Sequence, residues 1–190
     1  MPRPTHDTSA ILDAAARILG ADGLAKVTMA AVIREAGVPS GSLYYRFPDR
    51  PALLAALWNR AIASYHRDAY PLFDGDPVEA AVALAVHTVR WCQDEPAHAH
   101  VLLAGRSRFD AADWPEAARE TEAAEGARWN AAIRGLTRRL RAQTSVTTTE
   151  LLLVVVDLPY AAVRRYLSGD RPIPADLADV VAGIVRTSLR

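Results

Sequence analysis

The chain has 190 residues, and its 22 Lys+Arg balance 22 Asp+Glu to a formal net charge of zero, which excludes a histone-like polycation binding nucleic acid through charge alone. A single cysteine, Cys92, excludes an internal disulfide and a cysteine-built metal site, and makes a reducing compartment the expectation. Thirty-seven alanines favour helix, and a fold of this length buries roughly 70% of its unfolded surface without staples.

In chain order, residues 1–8, with Arg3 and His6, read as a frayed terminus rather than a minor-groove arm, and they lack the apolar core of an export signal. Apolar residues then recur with period 3.6, and no alternating strand pattern is convincing. A first helix is expected over about 8–21, with Ile11, Leu12, Ala15, Ile18 and Leu19 on one face, a Thr8/Ser9 cap before it and Gly23 after it. A second starts behind Thr28, whose hydroxyl can cap it, and runs to Ala36 before Gly37; a third, very short, lies between Ser40 and Phe47. Asp49 caps a fourth from Arg50 to about Ala69, with Leu53, Leu54, Leu57, Trp58 and Ile62 apolar. Turn residues at Gly75-Asp76-Pro77, Pro96, Asp113-Trp114-Pro115, Thr147 and Gly169 to Pro174 bracket further helices near 77–94, 96–105, 115–143, 147–168 and 175–189. About nine helices make the chain all-α. Pro159 removes an N–H and frees the Val155 carbonyl, so a kink is expected inside helix 147–168. The strongly apolar run Leu151 to Leu158 is far short of the ~20 residues that span a bilayer, so a soluble, cytoplasmic protein with no membrane partner is expected.

Residues 28–47 carry the functional signal: a short helix, a tight turn on Gly37, and a second helix barely two turns long, which is helix-turn-helix geometry. Only Leu43 and Phe47, four apart, share an obvious inward face on the second helix. Leu43, Phe47, Ile33 and Val38 read as core. The rest of the helix must face something else. Ser40, Ser42, Tyr44, Tyr45 and Arg46 offer hydroxyls, rings and a guanidinium, and Gly41 permits close backbone approach, which are groove-docking features.

The ordered set Ile11-Leu12-Asp13-Ala14-Ala15, Gly23, Thr28, Ala36-Gly37-Val38, Gly41-Ser42-Leu43-Tyr44, Phe47 and Leu53-Leu54 resembles the N-terminal DNA-binding domain of the tetracycline-repressor (TetR/AcrR) family of bacterial regulators over residues 9–58. The resemblance implies that Thr28 caps the second helix and touches phosphate. It implies too that Pro39, Ser40, Gly41, Ser42 and Tyr45 face the major groove, and that Tyr44 and Arg50 hold backbone phosphates. Arg46 stands where the family usually has histidine, adding a possible phosphate or guanine contact worth ~1–3 kcal/mol if bidentate. Arg50-Pro51 replaces the usual lysine-glutamate.

The same resemblance implies a helix-turn-helix domain over 1–50 and an effector-binding and dimerisation domain over 51–190, with a homodimer built from the last two helices. The sequence agrees in part: Leu177, Val180, Val181, Ile184, Val185 and Leu189 form an apolar stripe on the last helix, and Leu151 to Leu158 is apolar almost all round. A core helix would explain either pattern equally. Tyr65, His87, Trp91, Trp129, Asn130, Asp157 and Tyr160 are aromatic or polar residues on otherwise apolar faces, the lining expected of a small-molecule cavity. Asp157 amid Leu151 to Leu158 needs a counter-charge, from Arg164 or Arg165 of the partner subunit or from a cationic ligand, or else a raised pKa.

No phosphate-binding glycine loop and no nucleophile elbow occurs, and His98-x-His100 sends its two imidazoles to different helix faces, so no enzyme, cofactor or metal is expected. The expectation is a homodimeric transcriptional regulator that binds double-stranded DNA, a repressor released from a palindromic operator by an unidentified small molecule. A helix-turn-helix module binding DNA or protein without such a switch is the alternative. Residues 1–60 hold seven Lys/Arg against five Asp/Glu, and 61–190 hold fifteen against seventeen, so neutrality conceals a small basic bias in the reading head. Its smallness predicts weak non-specific affinity and a moderate salt slope.

Overall fold

The structure, a computed structural model, describes residues 8–169 and 171–189. The N-terminal arm considered above lies, apart from Thr8, outside the described residues. Among those described there is no strand: the helices are α1 (Thr8–Asp22), α2 (Met29–Ala36), α3 (Ser40–Arg46), α4 (Arg50–Ala69), α5 (Pro77–Asp94), α6 (Pro96–Ala104), α7 (Glu116–Arg141), α8 (Thr148–Leu152), α9 (Leu158–Leu167) and α10 (Leu177–Ser188). A π-helical stretch, Leu153–Asp157, joins α8 to α9 without a break, so 148–167 is one helical run and the described residues hold nine. The fold is all-α, as the periodicity indicates.

The π stretch is how the helix accommodates Pro159. With no N–H to satisfy the Val155 carbonyl, the ladder shifts register, and the Leu158 N–H donates to Leu153 five residues back.

Two compact units emerge, one from residues up to 62 with 97–123, the other from 63–96 with 124–190, so that the division falls inside α4 and α7. In the first unit, Ile11, Leu12, Ala14 to Ala16, Ile18 and Leu19 of α1 pack with Val32 of α2, Leu43 and Phe47 of the α3 region, and Leu53, Leu54, Leu57 and Trp58 of α4. The unit extends beyond the boundary expected near residue 50 because Val101, Phe109 and Trp114 join this core, with the Trp58 and Phe109 rings 5.2 Å apart.

Each helix of the head is stopped locally. Gly23 (φ 83°) donates to the Leu19 carbonyl past the end of α1. Thr28 Oγ1 accepts from the Ala31 N–H at 3.2 Å to start α2, Gly37 (φ 63°) ends it, and Asp49 Oδ1 accepts from the Ala52 N–H at 2.8 Å to start α4.

In the second unit, Asp76 caps α5 by accepting from the Val78 and Glu79 N–H groups. α5 packs against α10 and α9, Glu79 pairs with Arg186 at 2.8 Å, and Gln93 donates to the Pro174 carbonyl. A capping box between Thr147 and Glu150 opens α8.

Candidate nucleic-acid interface

α3 divides its residues sharply. Leu43 is fully buried and Phe47 nearly so, whereas Tyr45 is 88% exposed and Tyr44 50%. Pro39, Ser40 and Gly41 are exposed at its start, and Ser42 is half-buried. Seven residues with two anchors cannot hold such a helix by themselves. It is held by the turn, where Val38 is buried and its N–H donates to the Ile33 carbonyl, and by the Phe47 N–H bonded to the Leu43 carbonyl at 2.8 Å. The result is a short polar and aromatic ridge presented to solvent on a packed base, a form suited to entering a groove. Thr28, besides capping α2, borders a surface cavity of about 330 Å³ with Ile18, Asp22, Lys26 and Arg34 among its lining.

The two arginines of the sequence reading are engaged within the protein. Arg46 donates from Nε to Thr8 Oγ1 at 3.2 Å and from Nη1 to the Ser42 carbonyl at 3.0 Å, tying α3 to the start of α1. Arg50 donates from Nε to Val27 O at 2.8 Å, from Nη2 to Leu24 O at 3.1 Å and from Nη1 to Asp110 Oδ2 at 2.6 Å. Two further ion pairs brace the head: Arg17 with Glu35 at 2.9 Å, joining α1 to α2, and Arg60 with Asp13 at 2.7 Å, joining α4 to α1.

In the second unit, four of the seven residues expected to line an effector cavity come together. Tyr65 meets His87, Trp91 and Trp129 with ring centroids 4.9, 5.3 and 5.7 Å away, and its hydroxyl bonds Thr88 Oγ1 at 2.8 Å. Burial pushes the Tyr65 phenol up to about 12, against the lowering effect of Thr88. His87 Nε2 bonds the Tyr65 carbonyl at 3.0 Å, and burial lowers its pKa.

Asn130, Asp157 and Tyr160 are not part of this cluster's ring and hydrogen-bond network, and all three are exposed in the single chain. The expected desolvation of Asp157 is therefore absent there: Leu151, Val155, Pro159 and Val163 recur every four residues on the buried face, and Asp157 falls between them.

Comparison with known proteins bears on the head directly. Residues 11–57 match the family described as bacterial regulatory proteins, tetR family. The HTH-type transcriptional regulator AcrR of Shigella flexneri is 26% identical over 82 residues, 42% of this chain and 38% of the length of that regulator. The head thus carries a tetR-family domain over residues 11–57. The solved structure of a TetR family transcription regulator from Marinobacter aquaeolei VT8 shares this chain's fold with a TM-score of 0.75 at 16% identity, covering 97% of this chain and 94% of that one. The transcriptional regulator FadR of Bacillus subtilis, solved in complex with stearoyl-CoA, gives 0.73 at 12% identity, covering 97% and 100%.

The polar half of the aromatic cluster, outside the tetR-family domain, carries no signal in the sequence. Glu125 Oε1 accepts from Tyr70 Oη at 2.6 Å and from His66 Nδ1 at 2.7 Å, while His66 stacks on Trp129 and the Arg128 guanidinium lies 3.8 Å from the Tyr70 ring centre. Burial raises the Glu125 pKa, but the two donors outweigh it and leave the carboxyl below its ordinary value. Burial, reinforced by Glu125, pushes the Tyr70 phenol up to about 12. These partners lie 55 and 59 residues apart in the chain, and no local pattern links them.

Proposed function

We propose that this protein is a homodimeric DNA-binding transcriptional regulator of the tetR family, a repressor released from a palindromic operator by a small molecule. Residues 1–50 serve as the reader, and 51–190 carry effector binding and dimerisation. The observation that carries the reading is the outward face of α3. Tyr44 and Tyr45 expose aromatic and hydroxyl surface that core packing does not require, beside Pro39, Ser40 and Gly41 at the start of the helix. These residues, with Ser42, face the groove, while the exposed Thr28 hydroxyl contacts phosphate at the start of α2.

Dimerisation draws support from apolar surface left bare in one chain: Leu153 is 57% exposed, Val180 50% and Ile184 44%, with Leu152, Val156 and Tyr160 exposed as well. A second copy covering this surface places two reading heads on one duplex, and a twofold protein matches a palindromic site. Asp157 sits at that surface, where the partner supplies the counter-charge.

The effector enters the aromatic cluster around Tyr65, His87, Trp91 and Trp129 and releases DNA by preferring the DNA-incompetent state. Stearoyl-CoA, the ligand of the Bacillus subtilis neighbour, is the first compound to titrate.

The test is selection of duplexes by the full-length protein from a random-sequence pool, then affinity measurement for wild type and Tyr45→Ala. Recovery of a palindrome, with weakened binding by the variant, supports the reader. Equal binding by the variant defeats the role of α3. Titration of stearoyl-CoA into the complex then reports release.

A further inference from the structure

Asp110 is the one non-glycine residue among those described with a positive φ, 54°. A side chain held in this left-handed region carries strain, less for aspartate than for most residues, and such conformations persist where the surroundings over-determine them. The surroundings here do so. Gly105 (φ 81°) opens the 105–114 segment, and Phe109 and Trp114, both fully or nearly fully buried, plug it into the core of the first unit. Trp114 Nε1 donates to the Phe109 carbonyl at 2.7 Å, the Asp113 N–H to the Asp110 carbonyl at 2.9 Å, and Arg119 Nη1 to the Ala112 and Trp114 carbonyls. Asp110 thus stands on a rigid mount.

What the mount presents is a carboxylate 2.6 Å from Arg50 Nη1. The other two nitrogens of that guanidinium hold the Leu24 and Val27 carbonyls, the latter one residue before the Thr28 cap of α2. An ion pair this exposed contributes little to stability by itself, so a strained residue placed to make it points to placement of its partner. Three separate chain segments converge on one side chain: the entry to α2, the start of α4 and the 105–114 segment.

We propose that Asp110 is a positioning residue for the DNA-reading head. By orienting Arg50 against the Leu24 and Val27 carbonyls, it fixes where the chain enters α2, and so the pose from which α3 meets the groove. Arg50 accordingly works inside the head and not as a direct phosphate contact. This rests on the DNA-binding reading above and assigns a new residue to it.

The test uses the full-length protein and the duplex that the wild type selects from a random-sequence pool, with affinities measured over a salt series for Asp110→Asn, Arg50→Gln and the double variant. Asparagine tolerates the left-handed backbone and removes the charge. Each single variant is expected to bind roughly threefold to tenfold more weakly, inside the span seen for residues coupled in one network, and the double variant no more weakly than Arg50→Gln alone. The log–log salt slope stays that of the wild type.

Asp110→Asn binding as tightly as wild type, or more tightly, overturns the assignment. So does a slope flattened by about one in Arg50→Gln, the mark of a lost phosphate contact. Thermal melts accompany each measurement, and if Arg50→Gln does not fold, Asp110→Asn against wild type decides alone. A wild type that enriches no duplex overturns the DNA-binding reading and this assignment together, whereas intact wild-type binding with an unaffected Asp110→Asn overturns the assignment only.

Discussion

The imidazole of His66 lies flat on the indole of Trp129, ring centroids 4.1 Å apart and planes 4° from parallel, while its Nδ1 meets Glu125 at 2.7 Å. Burial lowers the His66 pKa, and Glu125 only partly opposes the shift; His87 is lowered by burial too. Burial thus favours the neutral form of both imidazoles, and Glu125 favours the His66 tautomer that carries its proton on Nδ1.

The pH dependence follows from that direction. A histidine whose folded pKa is depressed contributes stability that is present above its unfolded value of about 6.5 and is lost as pH falls through the folded value. Glu125, also depressed, adds a contribution that is lost only at more acidic pH. Melting by circular dichroism is expected to show the transition temperature dropping between about pH 7 and pH 5. The drop shrinks in a His66→Gln, His87→Gln double variant. A transition temperature that rises on acidification would mean instead that Glu125 holds His66 as a cation.

On α3, neighbouring positions separate binding from folding. Tyr44→Ala and Tyr45→Ala remove exposed rings, so unfolding free energy stays within about 0.5 kcal/mol of wild type. DNA affinity falls by about 1.5–3 kcal/mol for whichever hydroxyl bonds a phosphate. Leu43→Ala, one residue earlier and fully buried, lowers stability by about 2–5 kcal/mol, and DNA binding goes with the fold. Denaturant titration beside gel-shift affinity distinguishes the two outcomes.

The contrast among Leu43, Tyr44 and Tyr45 was legible in the sequence because it depends on local spacing, as do the caps at Thr28 and Asp49 and the stops at Gly23 and Gly37. Arg50 stood out in the sequence by its place at the start of α4, but its bonds within the protein did not. Its carboxylate partner lies 60 residues away on an irregular segment that no periodicity describes. The same limit hid Glu125 from His66 and Tyr70. At Asp157 the apolar run reads as a helix buried on one face by its own domain and on another by a partner, and in one chain only the first face is covered, so Leu152, Leu153 and Val156 are exposed along with it.

Those exposed apolar residues give a test of assembly. Leu153→Glu and Ile184→Arg place charges where one chain already faces solvent, so each protomer keeps its own fold, with changes within about 0.5 kcal/mol. Across a twofold interface each substitution occurs twice and buries unpaired charge. Sedimentation equilibrium is expected to find the wild type dimeric and the variants monomeric, with affinity for a full palindrome falling toward that for a half-site. Dimers that survive both substitutions would move the interface elsewhere.

Gly37 makes the turn between α2 and α3. Its φ of 63° lies in the left-handed region, and a Cβ added there would meet no atom within 4 Å, so backbone conformation alone determines the penalty. Gly37→Ala is expected to lower stability by about 1 kcal/mol, and Gly37→Asn by less, since asparagine enters this region more readily. The Val38 N–H to Ile33 carbonyl bond depends on the same turn, so relaxing φ toward ordinary values moves Val38 out of the core and tilts α3 with it. DNA affinity therefore falls more in Gly37→Ala than in Gly37→Asn, following the stability order. A Gly37→Ala protein with wild-type stability and affinity would show that the turn is not what holds α3 in place.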